Sequence, residues 1–154
     1  MGVKADAESL RRIAIFAGCE TVPLQVLAFA AERQRFAAGQ VIVRENDAAR
    51  SAYFLLEGSA AVHRGKEVIG RAEPGSLIGE TAMLGSSRYM VSAEAETEVL
   101  AARIDTGLFE RVVHEYPEFG RAVLGAMSDR LGTSIKELEV ARDLLERARG
   151  FSSL

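Results

Sequence analysis

Apolar residues change their spacing twice along this chain. From residue 8 to 32 they recur at helical intervals. Leu10, Ile13, Ile15 and Phe16 approximate one face, and Leu24, Leu27, Ala28 and Ala31 continue it within VPLQVLAFAAERQ. Pro23 suits the first turn of the second of these helices, where a missing N–H costs nothing, and Thr21 is its expected N-cap. From about Arg33 to residue 105 the apolar runs shorten and glycine punctuates them. VIV leads to RENDAAR, AYFLLEG to AAVHRGKEVIGRA, and YMVSAEA and EVLAARI come later. Val41, Ile42, Val43, Tyr53, Phe54, Leu55 and Leu56 favour strands. Gly39, Gly58, Gly65 and Gly75 mark turns at hairpin-like spacing. About eight short strands with frequent turns predict an antiparallel sandwich or barrel.

Helical spacing returns after Asp105. TGLFERVVHEYPEF predicts a short helix, with Pro117 breaking it or starting the next. From there to about Arg149 no proline intervenes. Leu124, Met127, Leu131, Leu138 and Leu145 follow steps of three and four, with Ser134, Ala141 and Ala148 filling the series. That predicts a long amphipathic helix with a partial heptad seam. One small barrel is too short to cover the seam, so a second copy of the helix is the expected partner, in a two-fold dimer. Gly132 weakens the helix by about 1 kcal/mol relative to Ala and is the expected place for a bend. The expected organisation is one domain over 1–154, with the barrel at about 33–105 and the C-terminal helices at about 106–149.

Composition narrows the function. A chain of 154 residues, 48% hydrophobic and 27% charged, buries a core and does not read as disordered. A net charge of −3 argues against direct nucleic-acid binding, which wants a basic face. The single cysteine, Cys19, excludes an intramolecular disulfide and reads as a buried hydrophobe in a reduced, cytoplasmic setting. The N-terminus lacks the apolar core of a signal peptide, and Asp6 stands where a myristoylation motif needs Ser or Thr. No apolar run approaches the ~18 residues of a membrane span. His63 and His114 fall in different regions, so no metal site is expected. Without a nucleophile elbow, a Walker loop or a dinucleotide fingerprint, the chain does not read as an enzyme.

The densest stretch is GSLIGETAMLGSSRYM, residues 75–90, with one acid, Glu80, and one base, Arg88, among small residues. A carboxylate there can accept hydrogen bonds from a sugar hydroxyl. Backbone N–H groups of a glycine-rich turn can cradle a phosphate, and a guanidinium pairs with it through forked donors. All three together would recognise a ribose phosphate.

These features, in this order, resemble the cyclic nucleotide-binding domain, the effector module of the catabolite activator protein and of the regulatory subunit of cAMP-dependent protein kinase. The resemblance runs over roughly residues 12 to 147. FAAGQVIVRENDAARSAYFLLEGSAAV is similar to the family's first half, with Asn46-Asp47 where Gly-Asp is usual. Asn tolerates the left-handed conformation such a turn needs. PGSLIGETAMLGSSRYMVSAEAETEVL is similar to the phosphate-binding cassette and the strand after it. The resemblance implies an eight-stranded antiparallel jelly-roll barrel with N-terminal helices and a long C-terminal helix. It also implies that the cassette glutamate takes the ribose 2′-hydroxyl and an arginine takes the cyclic phosphate.

Gly79, Glu80, Ala82 and Ser92 match the pattern, and Thr81 replaces an aliphatic residue. The arginine position reads Tyr89, with Arg88 one place early, while Met90 and Val91 replace two small residues. Two arrangements stay open. Arg88 turns inward and Tyr89 adds a hydroxyl or a stacking ring, or Arg88 is solvated and Tyr89 plugs the pocket. Ser134, beside Gly132, falls where relatives bring the last helix over the base as a lid. The implied function is a non-enzymatic sensor or regulatory module binding a cyclic nucleotide, cAMP ahead of cGMP. Because the helix-turn-helix of related transcription factors is not expected here, the C-terminal helix would signal to an unidentified partner protein. The alternative is a binding-incompetent domain serving as a dimeric scaffold.

Overall fold

The structure is a computed structural model that describes residues 10–13, 16–84 and 87–131. Ten strands lie among the described residues. They are β1 (Glu32–Phe36), β2 (Val41–Val43), β3 (Ala48–Ala49), β4 (Ser51–Glu57), β5 (Ala60–Arg64), β6 (Glu67–Ala72), β7 (Leu77–Ile78), β8 (Ser87–Arg88), β9 (Ser92–Ala95) and β10 (Val99–Asp105). They form two four-stranded antiparallel sheets, ordered β1-β10-β4-β7 and β2-β9-β5-β6, and a two-stranded ribbon, β3-β8. The architecture is thus mainly antiparallel β with flanking helices.

The run AYFLLE in β4 has no polar alternation because both of its faces are buried. Leu55 turns to the core between the sheets, where Phe36, Val99 and Ala101 meet Ile42, Val43, Ala60 and Ala93. Phe54 and Leu56 turn the other way, onto a second core shared with the helices. Burying each such Leu or Phe contributes about 1.5–3 kcal/mol.

Turn chemistry follows the sequence. Gly39, Gly58, Gly65 and Gly75 all take positive φ, and Asn46, at φ 71°, holds the left-handed turn expected of it. Of these glycines, Gly58 is the most constrained sterically. A Cβ there would lie 2.2 Å from the Glu98 carbonyl oxygen.

The helical N-terminal stretch is not continuous. Among the described residues, segments 10–13 and 16–19 are each closed by a bond, Ile13 N–H to Leu10 and Cys19 N–H to Phe16, and Phe16 N–H bonds the Ile13 carbonyl. Helix α1 (Thr21–Ala30) then begins. Thr21 is not its N-cap. Glu20 takes the extended cap conformation, and the Thr21 hydroxyl accepts a hydrogen bond from Arg11 instead.

At the other end, Asp105 caps α2 (Thr106–Glu115) by accepting from Leu108 N–H at 2.8 Å. Pro117 opens α3 (Pro117–Leu131), consistent with its missing N–H. Gly120 lets α3 approach α2, since a Cβ would sit 2.5 Å from a Val113 methyl. Phe119 stacks on Phe16 with ring centroids 6.2 Å apart, tying the N-terminal turns to the last helix. Phe119, Val123 and Met127 form the buried stripe of α3, whereas Leu124 is 48% exposed. The expected seam through Leu124 and Met127 is therefore split, because Leu124 lies about 100° around the helix from Val123. Leu138, Leu145 and Ser134 lie outside the described residues. No helix among the described residues is long and apolar enough to cross a membrane.

Candidate functional site

Residues 79–84 and 87–92 fold against the β4 entry and the turn between β2 and β3. Gly79 follows β7 with φ 75° and bonds its carbonyl to Ala82 N–H at 3.0 Å. That closes the first turn of a 3-10 helix, Glu80–Leu84, which Glu80 opens as its first acidic residue. Glu80 and Thr81 are half-buried and Ala82 is fully buried. The Ala82 carbonyl accepts from the Thr106 hydroxyl at 2.8 Å, so the first turn of α2 pins the cassette helix. Thr81 contributes its carbonyl, which accepts from the Ser87 hydroxyl at 2.8 Å.

Arg88 and Tyr89 face opposite ways. Arg88 is exposed, and its guanidinium donates to the Asn46 carbonyl at 2.6 Å. Tyr89 is only 8% exposed. Its hydroxyl donates to the Ser51 carbonyl at 2.6 Å and accepts from Ser51 N–H at 3.3 Å. The ring lies over Gly79, where a Cβ would be 2.7 Å from Tyr89 Cε1. Main-chain bonds fix this orientation: Tyr89 N–H donates to the Asp47 carbonyl and its carbonyl accepts from Asn46 N–H, at 3.0 and 2.9 Å. Burial pushes the Tyr89 phenol up, against the lowering effect of its bonds to the Ser51 backbone.

Ser92, at the start of β9, accepts from Glu45 N–H at 2.9 Å and so helps hold the β2–β3 turn. The structure brings Gly79, Glu80, Thr81, Ala82 and Tyr89 into one cassette. Arg88 sits at its outer rim, and Ser92 faces the neighbouring turn. Asn46, Ser51 and Thr106 complete the support, and sequence reasoning missed Ser51 and Thr106 because they act through main-chain groups or from distant elements. A cleft of about 420 Å³, lined by residues that include Val43, Arg44, Asp47 and Tyr53, borders the other side of Tyr89. No group of three metal-ligating side chains occurs among the described residues. Glu80, the acid that the resemblance assigns to the sugar half, stands half-buried at the start of the cassette helix. In this conformation Tyr89 fills the ground where the resemblance puts a phosphate-binding arginine.

The sequence and the fold each have relatives. The cyclic nucleotide-binding domain profile matches residues 33–116, more than half of the chain. The cAMP-dependent protein kinase regulatory subunit of Hypocrea atroviridis is 34% identical over 84 residues, which is 54% of this chain and 18% of that protein. The chain spans 18%, 23% and 36% of the first three curated relatives it matches. A cyclic nucleotide-binding-like protein from Brucella abortus superposes with a TM-score of 0.64 at 30% identity, covering 71% of this chain and 98% of that one. The N-terminal domain of a transcriptional regulator from Streptomyces coelicolor superposes with a TM-score of 0.73 at 25% identity, covering 80% and 89%. With the fold, the cassette order and the sequence profile in agreement, the chain belongs to the cyclic nucleotide-binding domain family.

Proposed function

We propose that this chain is a non-enzymatic, cytoplasmic sensor or regulatory module. It binds a cyclic nucleotide, cAMP ahead of cGMP, and passes the signal through its C-terminal helix to a partner protein. One observation carries the reading. Glu80 opens the cassette helix directly after left-handed Gly79, inside the segment that matches the family. The Ser87 and Thr106 hydroxyls bond the carbonyls of Thr81 and Ala82, the two residues after Glu80, which supports presentation of the acid from a braced turn. Names of relatives such as the cAMP-dependent kinase subunit support cAMP as the first ligand to try. Isothermal titration of the full chain with cAMP and with cGMP tests the reading. Saturable binding of either supports it, and no heat from both rejects it.

A second reading, a binding-incompetent dimeric scaffold, is favoured by the buried Tyr89 ring over Gly79. Both readings use the seam through Leu138 and Leu145 to join two copies. Leu138→Glu combined with Leu145→Glu is expected to sediment as a folded monomer, and a variant that stays dimeric puts the interface elsewhere.

A further inference from the structure

The hydrogen bonds of Tyr89 all go to main-chain groups of this chain. Its ring uses the space left by the missing Cβ of Gly79. Its hydroxyl bonds both main-chain polar groups of Ser51, as donor to the carbonyl and acceptor from the N–H. Its own N–H and C=O are taken by Asp47 and Asn46. The backbone is thereby fixed, and the side chain alone is left to turn. The neighbouring cation offers the cassette no charge in this arrangement, since the Asn46 carbonyl holds Arg88 at the surface.

The ring also has somewhere to go. The cleft it borders is about 420 Å³, with exposed Arg44, Asp47 and Ala48 on its rim and half-buried Tyr53 in its wall. The bonds of the Tyr89 main chain to Asp47 and Asn46, and the Arg88 bond to the Asn46 carbonyl, involve no atom of the Tyr89 side chain.

We infer that Tyr89 is a plug that gates the cassette. Its phenol occupies the ground beside Gly79 and Ser51, and a cyclic nucleotide binds only as the side chain turns out into the cleft. This rests on the reading that the cassette takes a cyclic nucleotide. The plugged and open forms are then two states of one domain, and a ligand that binds only the open form pays for opening through its apparent affinity. If nine-tenths of the population is plugged, the apparent affinity is about tenfold below that of the open form.

The test is titration of cAMP into the full wild-type chain, Tyr89→Ala and Tyr89→Phe, with circular dichroism to establish that each is folded. Removing the ring should tighten cAMP binding by about tenfold or more, and removing only the hydroxyl should give a smaller gain. A residue that merely supports the fold would do the opposite, and its loss would weaken binding. If wild type binds as tightly as folded Tyr89→Ala, the inference is overturned while the cyclic nucleotide reading stands. If wild type and both folded variants fail to bind, both are overturned. Should Tyr89→Ala not fold, Tyr89→Phe decides: tighter binding than wild type supports the plug, and equal or weaker binding overturns it.

Discussion

The Tyr89 hydroxyl bonds both main-chain polar groups of Ser51, donating to the carbonyl at 2.6 Å and accepting from the N–H at 3.3 Å. Both residues are buried, Ser51 at 7% and Tyr89 at 8% exposure. Water is therefore a poor substitute partner for either group. Tyr89→Phe removes both bonds while keeping the ring on Gly79. The expected loss of stability is about 1–3 kcal/mol, read as a lower urea midpoint with an unchanged slope. A midpoint equal to wild type would show that the two bonds add nothing net.

The same contact predicts a response to alkaline pH. Burial raises the Tyr89 phenol above its ordinary value, so the folded state holds its proton longer than the unfolded chain does. Its contribution to stability is complete below the unfolded phenol value of ~10 and is lost as pH rises through the folded value. Cys19 adds an earlier phase of the same sign. Burial raises its thiol, partly offset by Arg11, so that loss begins above the unfolded thiol value of ~8.5. Urea unfolding of wild type, Tyr89→Phe and Cys19→Ala from about pH 8 to 11 separates the two phases. The stability gap between wild type and Tyr89→Phe should narrow above about pH 10, and a constant gap rejects the assignment.

Gly58 gives a sharper test of the fold. Its φ is 87°, and a Cβ would meet the Glu98 carbonyl oxygen at 2.2 Å and Val99 Cα at 3.0 Å. Both neighbours are main chain, so a rotamer change cannot relieve the overlap. Gly58→Ala should cost about 1–3 kcal/mol in backbone strain alone, plus the displacement of the strand entry at Val99. Gly39 is the control, because its φ is also positive but no atom lies within 4 Å of its Cβ position. Gly39→Ala should destabilise less than Gly58→Ala in the same denaturation experiment.

Strand content and turns were legible because local chemistry decides them. The apolar run of β4 and the glycines at positive φ follow from pattern and conformational freedom, and so does Asn46 at φ 71°. What stayed open depended on partners far along the chain. Thr21 looked like a cap until Arg11 took its hydroxyl. Leu124 looked like part of a seam, but the face of α3 that buries is set by Phe16 and Phe109 against Phe119. The choice between Arg88 and Tyr89 was the hardest. It turns on where β8 ends and on main-chain bonds to Asn46 and Asp47, more than forty positions earlier. Ser134 and the seam beyond Leu131 lie outside the described residues, so the lid remains a reading of the sequence.

Glu80 separates a ligand contact from a structural one. It is half-buried and opens the 3-10 helix Glu80–Leu84, and two roles are proposed for it, meeting a sugar hydroxyl or favouring the N–H groups of the first turn. The two roles predict different measurements. If a ribose hydroxyl binds there, Glu80→Ala removes a charge-assisted hydrogen bond worth about 1.5–3 kcal/mol. Cyclic nucleotide affinity should then fall by roughly ten- to a hundredfold, with little change in the urea midpoint. If the acid serves only the helix start, the midpoint falls and the affinity of folded protein does not. Glu80→Gln refines the comparison, since it keeps an acceptor and loses the charge. Its affinity should lie between wild type and Glu80→Ala under the ligand role. Wild type that binds a cyclic nucleotide, with Glu80→Ala binding it equally well, removes Glu80 from the site.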